Sequence, residues 1–322
     1  MLLSANIAGL KIDPAIMNAS GIFSFPSVLK RLSNLKLGAF VTKSACYDGK
    51  EGFENPIFTK CSEEAWINAV GLPNAGAESK KKELEEVYPH FKPIGKPLIV
   101  SLFDNSTEKL KKSILLLNDF CDAFELNLSC PNLMPGEKIG IVIGRDPKLV
   151  KEYTRAAKES TKKPIIVKLS AGPYIDDREK IKEIALSAAL SGADAISVTN
   201  TISGGMKIDI HAKKPVLAAK YGAMSGKAIK PFGIGCTYTI YEALQSSGYS
   251  IPIIGIGGIE TAEDIVEYIE AGASAVAIGT AFVNKSLEEI ELYLLNLNNS
   301  LERILKDLGA NKLRDLVGAA HV

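Results

Sequence analysis

Eight short apolar runs alternate along the chain with segments of helical period, and no other feature constrains its fold so tightly. The runs are PAIMNAS (14–20), LGAFVTKS (37–44), PLIVSLF (97–103), DAFELNLS (122–129), PIIVKLS (164–170), DAISVTN (194–200), PIIGIGG (252–258) and SAVAIGT (274–280). Several are apolar at nearly every position, as strands are when both faces of a parallel sheet are covered. Five helical segments stand out between and after them: 106–120, 146–160, 176–192, 261–273 and 286–309. The first opens on a Ser/Thr cap, the second on Asp-Pro, and the third and fourth stop at glycine. This alternation predicts an α/β fold, a (β/α)₈ TIM barrel. An open doubly wound sheet is the alternative, but the glycine fingerprint expected after its first strand is missing. The opening MLLSANIAGLKIDPAI predicts a β-hairpin turning at Gly9. Connections 45–96 and 201–251 exceed an ordinary βα loop and predict lid insertions over the carboxyl-end face of the barrel. With no linker or low-complexity stretch, residues 1–322 read as one domain.

The charges nearly cancel, 38 basic against 37 acidic. That balance argues against a nucleic-acid partner held by bulk charge. No apolar run approaches the roughly 20 residues that span a bilayer, so no membrane partner is expected. Cysteines 46, 61, 121, 130 and 236 are odd in number and show no C-x-x-C spacing, and the three histidines are scattered. Neither a disulfide framework, nor an intrinsic iron–sulfur cluster, nor a metal site is expected, and the cytoplasm is the default compartment.

Chemistry in such barrels gathers at the carboxyl ends of the strands. In order, those ends carry Ser20, Lys43-Ser44, Ser101, then Asn127 with Cys130 and Asn132, Lys168, Asn200-Thr201, Gly257-Gly258 and Gly279-Thr280. Taken singly, a strand-end lysine is usually a surface residue, a strand cysteine a small core hydrophobe, and Asn or Ser a turn former. Taken together, two lysines, three asparagines and a thiol converge on one bowl. The glycine turns after the last two runs leave backbone N–H groups open to an anion, which predicts a phosphorylated ligand. Lys168, aimed at the mouth from within, would supply a fixed cation suited to the electron-rich edge of a reduced flavin.

ELNLSCPN (125–132), VTKSA (41–45), NAVGLPNAG (68–76), VTNT (198–201), MSGKAIKP (224–231), IGIGG (254–258) and AIGT (277–280) together resemble the dihydroorotate dehydrogenases, in their soluble class with a cysteine base. The resemblance runs in order from about residue 4 to residue 283. It implies an FMN-containing barrel that oxidises dihydroorotate to orotate in pyrimidine biosynthesis. By the same resemblance Cys130 takes the C5 proton while the C6 hydride leaves for FMN N5, and Lys43 touches both substrate and flavin. Substrate contacts fall on Asn68, Ala69, Val70, Gly71, Leu72, Asn127, Asn132, Asn200 and Thr201. Flavin contacts fall on Ser20, Lys43, Ser44, Ser101, Asn127, Lys168, Thr199, Gly226, Gly257, Gly258, Gly279 and Thr280. Ser101 departs from the asparagine of many relatives. The GLPN segment resembles the fumarate-using subclass, whereas NTISGGMKID (200–209) and GAMSGKAIKP (222–231) resemble the subclass paired with an FAD/iron–sulfur subunit, and the partnered form is the one expected, built on a homodimer. Two alternatives stay open. One is a dihydropyrimidine dehydrogenase-like flavoprotein, against which Asn132 stands where those relatives tend to carry His. The other is a flavin-free sugar-phosphate isomerase or lyase using Lys168 as a Schiff-base lysine.

Overall fold

A computed structural model describes residues 2–134 and 136–321. Its centre is a ring of eight parallel strands: β1 (Ile16–Asn18), β2 (Phe40–Val41), β3 (Leu98–Leu102), β4 (Ala123–Asn127), β5 (Ile165–Ser170), β6 (Ala195–Asn200), β7 (Ile253–Ile256) and β8 (Ala273–Ile278). Hydrogen bonding runs in the order β1-β8-β7-β6-β5-β4-β3-β2. A parallel bridge between Met17 and Ala39 joins the two ends and closes the ring. Every residue of β3, β4 and β5 is buried, because one face packs the barrel interior and the other the surrounding helices.

Those helices are α1 (Pro26–Leu32), α2 (Ala77–Phe91), α3 (Thr107–Leu117), α4 (Pro147–Ser160), α5 (Arg178–Leu190), α6 (Lys230–Ser246), α7 (Ala262–Glu270) and α8 (Leu287–Asp307). Their starts follow side-chain chemistry. Ser106, Asp146 and Asp177 each accept a backbone N–H of the first turn, and Thr261/Asp264 and Ser286/Glu289 form reciprocal capping boxes. The N-terminal hairpin pairs Ala5–Ile7 with Leu10–Ile12 around Gly9.

Several expected boundaries change. The strand predicted over 37–44 shortens to Phe40–Val41 with the isolated bridge at Ala39 beside it, and the helix predicted over 261–273 stops at Glu270. Gly272, at φ +112°, turns the chain there and β8 begins one residue later. The two long connections are not lids throughout: each also carries a barrel helix, α2 or α6. Pro89 inside α2 obscures its period. Gly233 and Gly235 do the same in α6, and Gly233 is needed because a Cβ there would collide with the Tyr268 hydroxyl. The parts that do cover the mouth form a four-stranded antiparallel sheet, in the order 202–205, 222–225, 66–68, 58–60. Among the described residues no helix is long and apolar enough to cross a membrane.

Candidate active site

A cavity of about 930 Å³ lies between the carboxyl ends of the barrel strands and the lid sheet. It gathers nearly every residue singled out from the sequence. Ser20, Lys43, Ser44, Asn127, Cys130, Asn132, Lys168, Thr199, Asn200 and Thr201 line it, as do Asn68, Val70, Gly71 and Leu72 from the lid. Two expected residues do not reach it. Ala69 packs away, against Ile67 and Leu217 under the lid, because alternate residues of an extended segment face opposite sides. Ser101 lies fully buried one layer below, where its hydroxyl bonds those of Ser44 and the carboxylate of Glu125.

One end of the cavity is a glycine cradle made by Gly226, Gly257, Gly258 and Gly279, with Thr280 opening a short 3₁₀ turn, Thr280–Phe282. Gly258 has φ +68°, and a Cβ there would stand 2.7 Å from the Lys230 side chain and 3.0 Å from the Gly226 carbonyl. Backbone this open and this close-packed suits a phosphate held by main-chain N–H groups.

The other end is lined by amides. Asn132 Nδ2 donates to Asn68 Oδ1 at 2.8 Å, and Asn68 Nδ2 to the Ala223 carbonyl at 3.1 Å. Asn200 Nδ2 donates to Ser129 Oγ at 2.9 Å and to Asn127 Oδ1 at 3.3 Å. The asparagines thus come from β4, its following loop, β6 and the lid. A planar ring with alternating N–H and C=O edges could exchange for these mutual bonds.

Cys130 sits between the two ends with 7% exposure. Burial pushes its thiol up to about 11, opposed by the Asn132 backbone N–H and then by the charges of Lys168 and Lys50. The loop after it returns at once. The Cys130 carbonyl accepts the Ile141 N–H at 3.0 Å, and Gly140 is required because a Cβ there would come within 2.5 Å of that carbonyl. Glu137 in the loop pairs with Lys50 at 2.6 Å and accepts the Met134 N–H at 2.8 Å. Leu133 and Ile139 pack on Cys46, Phe103 and Leu72. Lys43 is lowered from the ordinary lysine value by burial and by the neighbouring charge of Lys80.

Glu125 was missed from the sequence. It stands two residues before Asn127 on β4, so it faces the barrel interior one layer deeper. Its carboxylate lies 3.6 Å from Lys168 Nζ, with both side chains only 5% exposed. The signal was present as an acid inside an otherwise apolar run, which only a buried partner tolerates.

A closed barrel whose mouth gathers glycine turns, a buried lysine and a buried thiol beside a wall of amides defines a class of protein: a (β/α)₈ barrel with a polar ligand cavity at the carboxyl ends of its strands. A family model described as dihydroorotate dehydrogenase matches residues 2–298, and the chain belongs to that family. Enzymes of this family are flavin-dependent. The chain is 36% identical over 320 residues to the Pyrococcus abyssi protein named dihydroorotate dehydrogenase B (NAD(+)), catalytic subunit, covering 99% of each. It is 38% identical over 319 residues to the Thermococcus kodakarensis protein of the same name, covering 99% of this chain and 98% of the other. A putative dihydroorotate dehydrogenase A (fumarate) of Aquifex aeolicus is 36% identical over 326 residues, covering 100% of this chain and 99% of the other. In fold the chain is similar to the dihydroorotate dehydrogenase of Eimeria tenella solved with ferulenol, at TM-score 0.82 and 21% identity, over 99% of this chain and 88% of that one.

Proposed function

We propose that the chain oxidises dihydroorotate to orotate in pyrimidine biosynthesis and that its flavin is FMN. The carrying observation is the single cavity that unites the glycine cradle, Lys168, the Cys130 thiol and the amides of Asn68, Asn127, Asn132 and Asn200. The residues present suit FMN. The cradle closes on one phosphate, and about 930 Å³ is room for a mononucleotide with a pyrimidine ring beside it. Gly226, Gly257, Gly258, Gly279 and Thr280 would hold the phosphate. Ser20, Ser44, Thr199 and Lys168 would meet the ring system, with Ser101 supporting from below. Bound FMN supplies the acceptor for the hydride that leaves C6 of the substrate.

The protein's part is positioning and proton removal. Asn68, Asn127, Asn132 and Asn200 present donors and acceptors to the pyrimidine edges, with Val70, Gly71, Leu72 and Thr201 closing around them. Lys43, a cation at the rim, takes the carboxylate. Cys130 removes the C5 proton, and the loop latched by Glu137 and Lys50 excludes water over it.

The relatives named B-type catalytic subunits support a partnered enzyme, in which an FAD/iron–sulfur subunit drains electrons from a homodimer of this chain in the cytoplasm. The test is a visible spectrum of the purified chain, recorded anaerobically. A yellow protein bleached by dihydroorotate and not by dihydrouracil bears the reading out. A yellow protein that ignores dihydroorotate points to dihydropyrimidine chemistry, and a chain that binds no FMN overturns the flavin reading.

A further inference from the structure

Beneath the cavity a buried chain of hydrogen bonds crosses four barrel strands and the end of β2. Asn127 Nδ2 donates to Ser44 Oγ at 3.0 Å, Ser44 and Ser101 hydroxyls meet at 2.8 Å, and Ser101 Oγ donates to Glu125 Oε1 at 3.2 Å. From the far side Ser197 Oγ donates to Glu125 Oε2 at 3.1 Å. Lys168 Nζ stands 3.6 Å from Oε1. The strand register enforces this grouping: Ser101 pairs with Glu125, Asn127 with Lys168, and Ser197 with Lys168.

A hydroxyl has one hydrogen to give, and an ionised carboxylate only accepts. The chain therefore has one direction. Ser101 spends its hydrogen on Glu125, so Ser44 must donate to Ser101, and Ser44 is left with lone pairs only. Asn127 has to turn its NH₂ down toward Ser44. That leaves Oδ1 of Asn127 at the upper level, where Ser129 Oγ donates to it at 3.0 Å and Asn200 Nδ2 at 3.3 Å. Which amide atom a substrate meets is thus decided by a carboxylate one layer below it. The same carboxylate holds the ammonium that faces the cofactor end.

We propose that Glu125 is a positioning residue that sets the donor–acceptor pattern of the substrate amides through Ser101 and Ser44 and anchors Lys168 at the flavin. This goes deeper into the site and rests on the FMN and dihydroorotate reading. It is distinct from the contacts made by the lining residues, since Glu125 is not among the residues that line the cavity.

Glu125→Gln keeps the shape but has one acceptor oxygen and a donating NH₂, so it cannot receive both serines and Lys168 together. The test compares wild type, Glu125→Gln, Lys168→Gln and the double variant. Two readouts are taken on the FMN-loaded chain: the flavin midpoint potential by dye equilibration, and the orotate dissociation constant from the flavin difference spectrum. The expected result is that Glu125→Gln weakens orotate at least about tenfold. It should also lower the two-electron reduction equilibrium at least about tenfold, about 30 mV for this couple. On the potential, the double variant should fall no lower than Lys168→Gln alone, because both changes act through one ammonium. A merely structural Glu125 would shift the melting temperature and leave both readouts in place. If both readouts in Glu125→Gln stay within twofold of wild type, or the potential rises, the proposal is overturned. If Glu125→Gln does not fold, Ser101→Ala cuts the same chain above the carboxylate. It should weaken orotate several-fold, and unchanged orotate binding there overturns the proposal as well. A wild-type chain that takes up neither FMN nor orotate overturns the functional reading itself, an outcome distinguishable from a yellow, orotate-binding set indifferent to Glu125.

Discussion

Raising the pH should accelerate the first half of the reaction steeply, and Cys130 is the reason. Its thiol lies near 11, chiefly because burial penalises the thiolate. At pH 7 the active, deprotonated form is then about one part in ten thousand, and each further pH unit brings about tenfold more. The neutral thiol cannot take a proton from C5, so the rate follows the thiolate: low in acid, rising with pH, levelling only near the thiol's own value. The assay is anaerobic stopped-flow bleaching of the flavin at saturating dihydroorotate, from pH 6 to 10. Between pH 7 and 9 the rate should climb about a hundredfold. Cys130→Ser preserves shape and replaces the thiol with a weaker acid. It should retain the flavin and bleach slower by about two orders of magnitude or more at every pH. A flat wild-type profile from pH 7 to 9, or a serine variant that keeps pace, refutes Cys130 as the base.

Four further outcomes follow from the geometry. Gly258→Ala places a Cβ 2.7 Å from Lys230 in a φ +68° residue, so FMN affinity, measured by fluorescence titration, should drop at least about tenfold, the equivalent of about 1.4 kcal/mol. Asn132→Ala removes the donor to Asn68 and should raise the KM for dihydroorotate about tenfold with the flavin spectrum unchanged. Glu137→Gln breaks the pairing with Lys50, and hydrogen exchange should speed up at Asn132–Met134 and Gly136–Gly140 while the barrel strands stay protected. Finally, burial raises Cys121 to about 12 and Cys130 to about 11 in the folded chain, from an ordinary value of 9.0. Below pH 9 both states keep these protons and stability is unaffected; above it only the unfolded chain ionises, so thermal melting should fall between pH 8 and pH 10.

The barrel was legible because a strand covered on both faces leaves a run of apolar residues that nothing else explains, and seven of the eight runs match strands within a few residues. The polar ends were legible for a related reason: residues such as Lys168 and Asn127 interrupt or close those runs. The helices α2 and α6 were not, since Pro89 interrupts the helical signal in the first and the glycines of the second make room for Tyr268 and Tyr174, which local pattern does not encode. Ala69 shows the limit of a motif read as a block, because alternation turns it away from the cavity its neighbours line. The burial of Ser101 and the partners of Glu125 depend on the register between neighbouring strands, which local sequence does not encode.

The lid sheet carries a consequence for the order in which the protein is built. Its two central strands, 66–68 and 222–225, are brought together from opposite halves of the chain. Their pairing closes a loop of more than 150 residues, an ordering cost that local helices and neighbouring strands never face. Residues 58–60 and 66–68 pair with each other as a local hairpin, but that hairpin gains its second neighbour only once the chain through Ser225 has been synthesised. The roof of the cavity is therefore completed late, when both halves of the chain are in place, and the barrel mouth stays open to solvent until then.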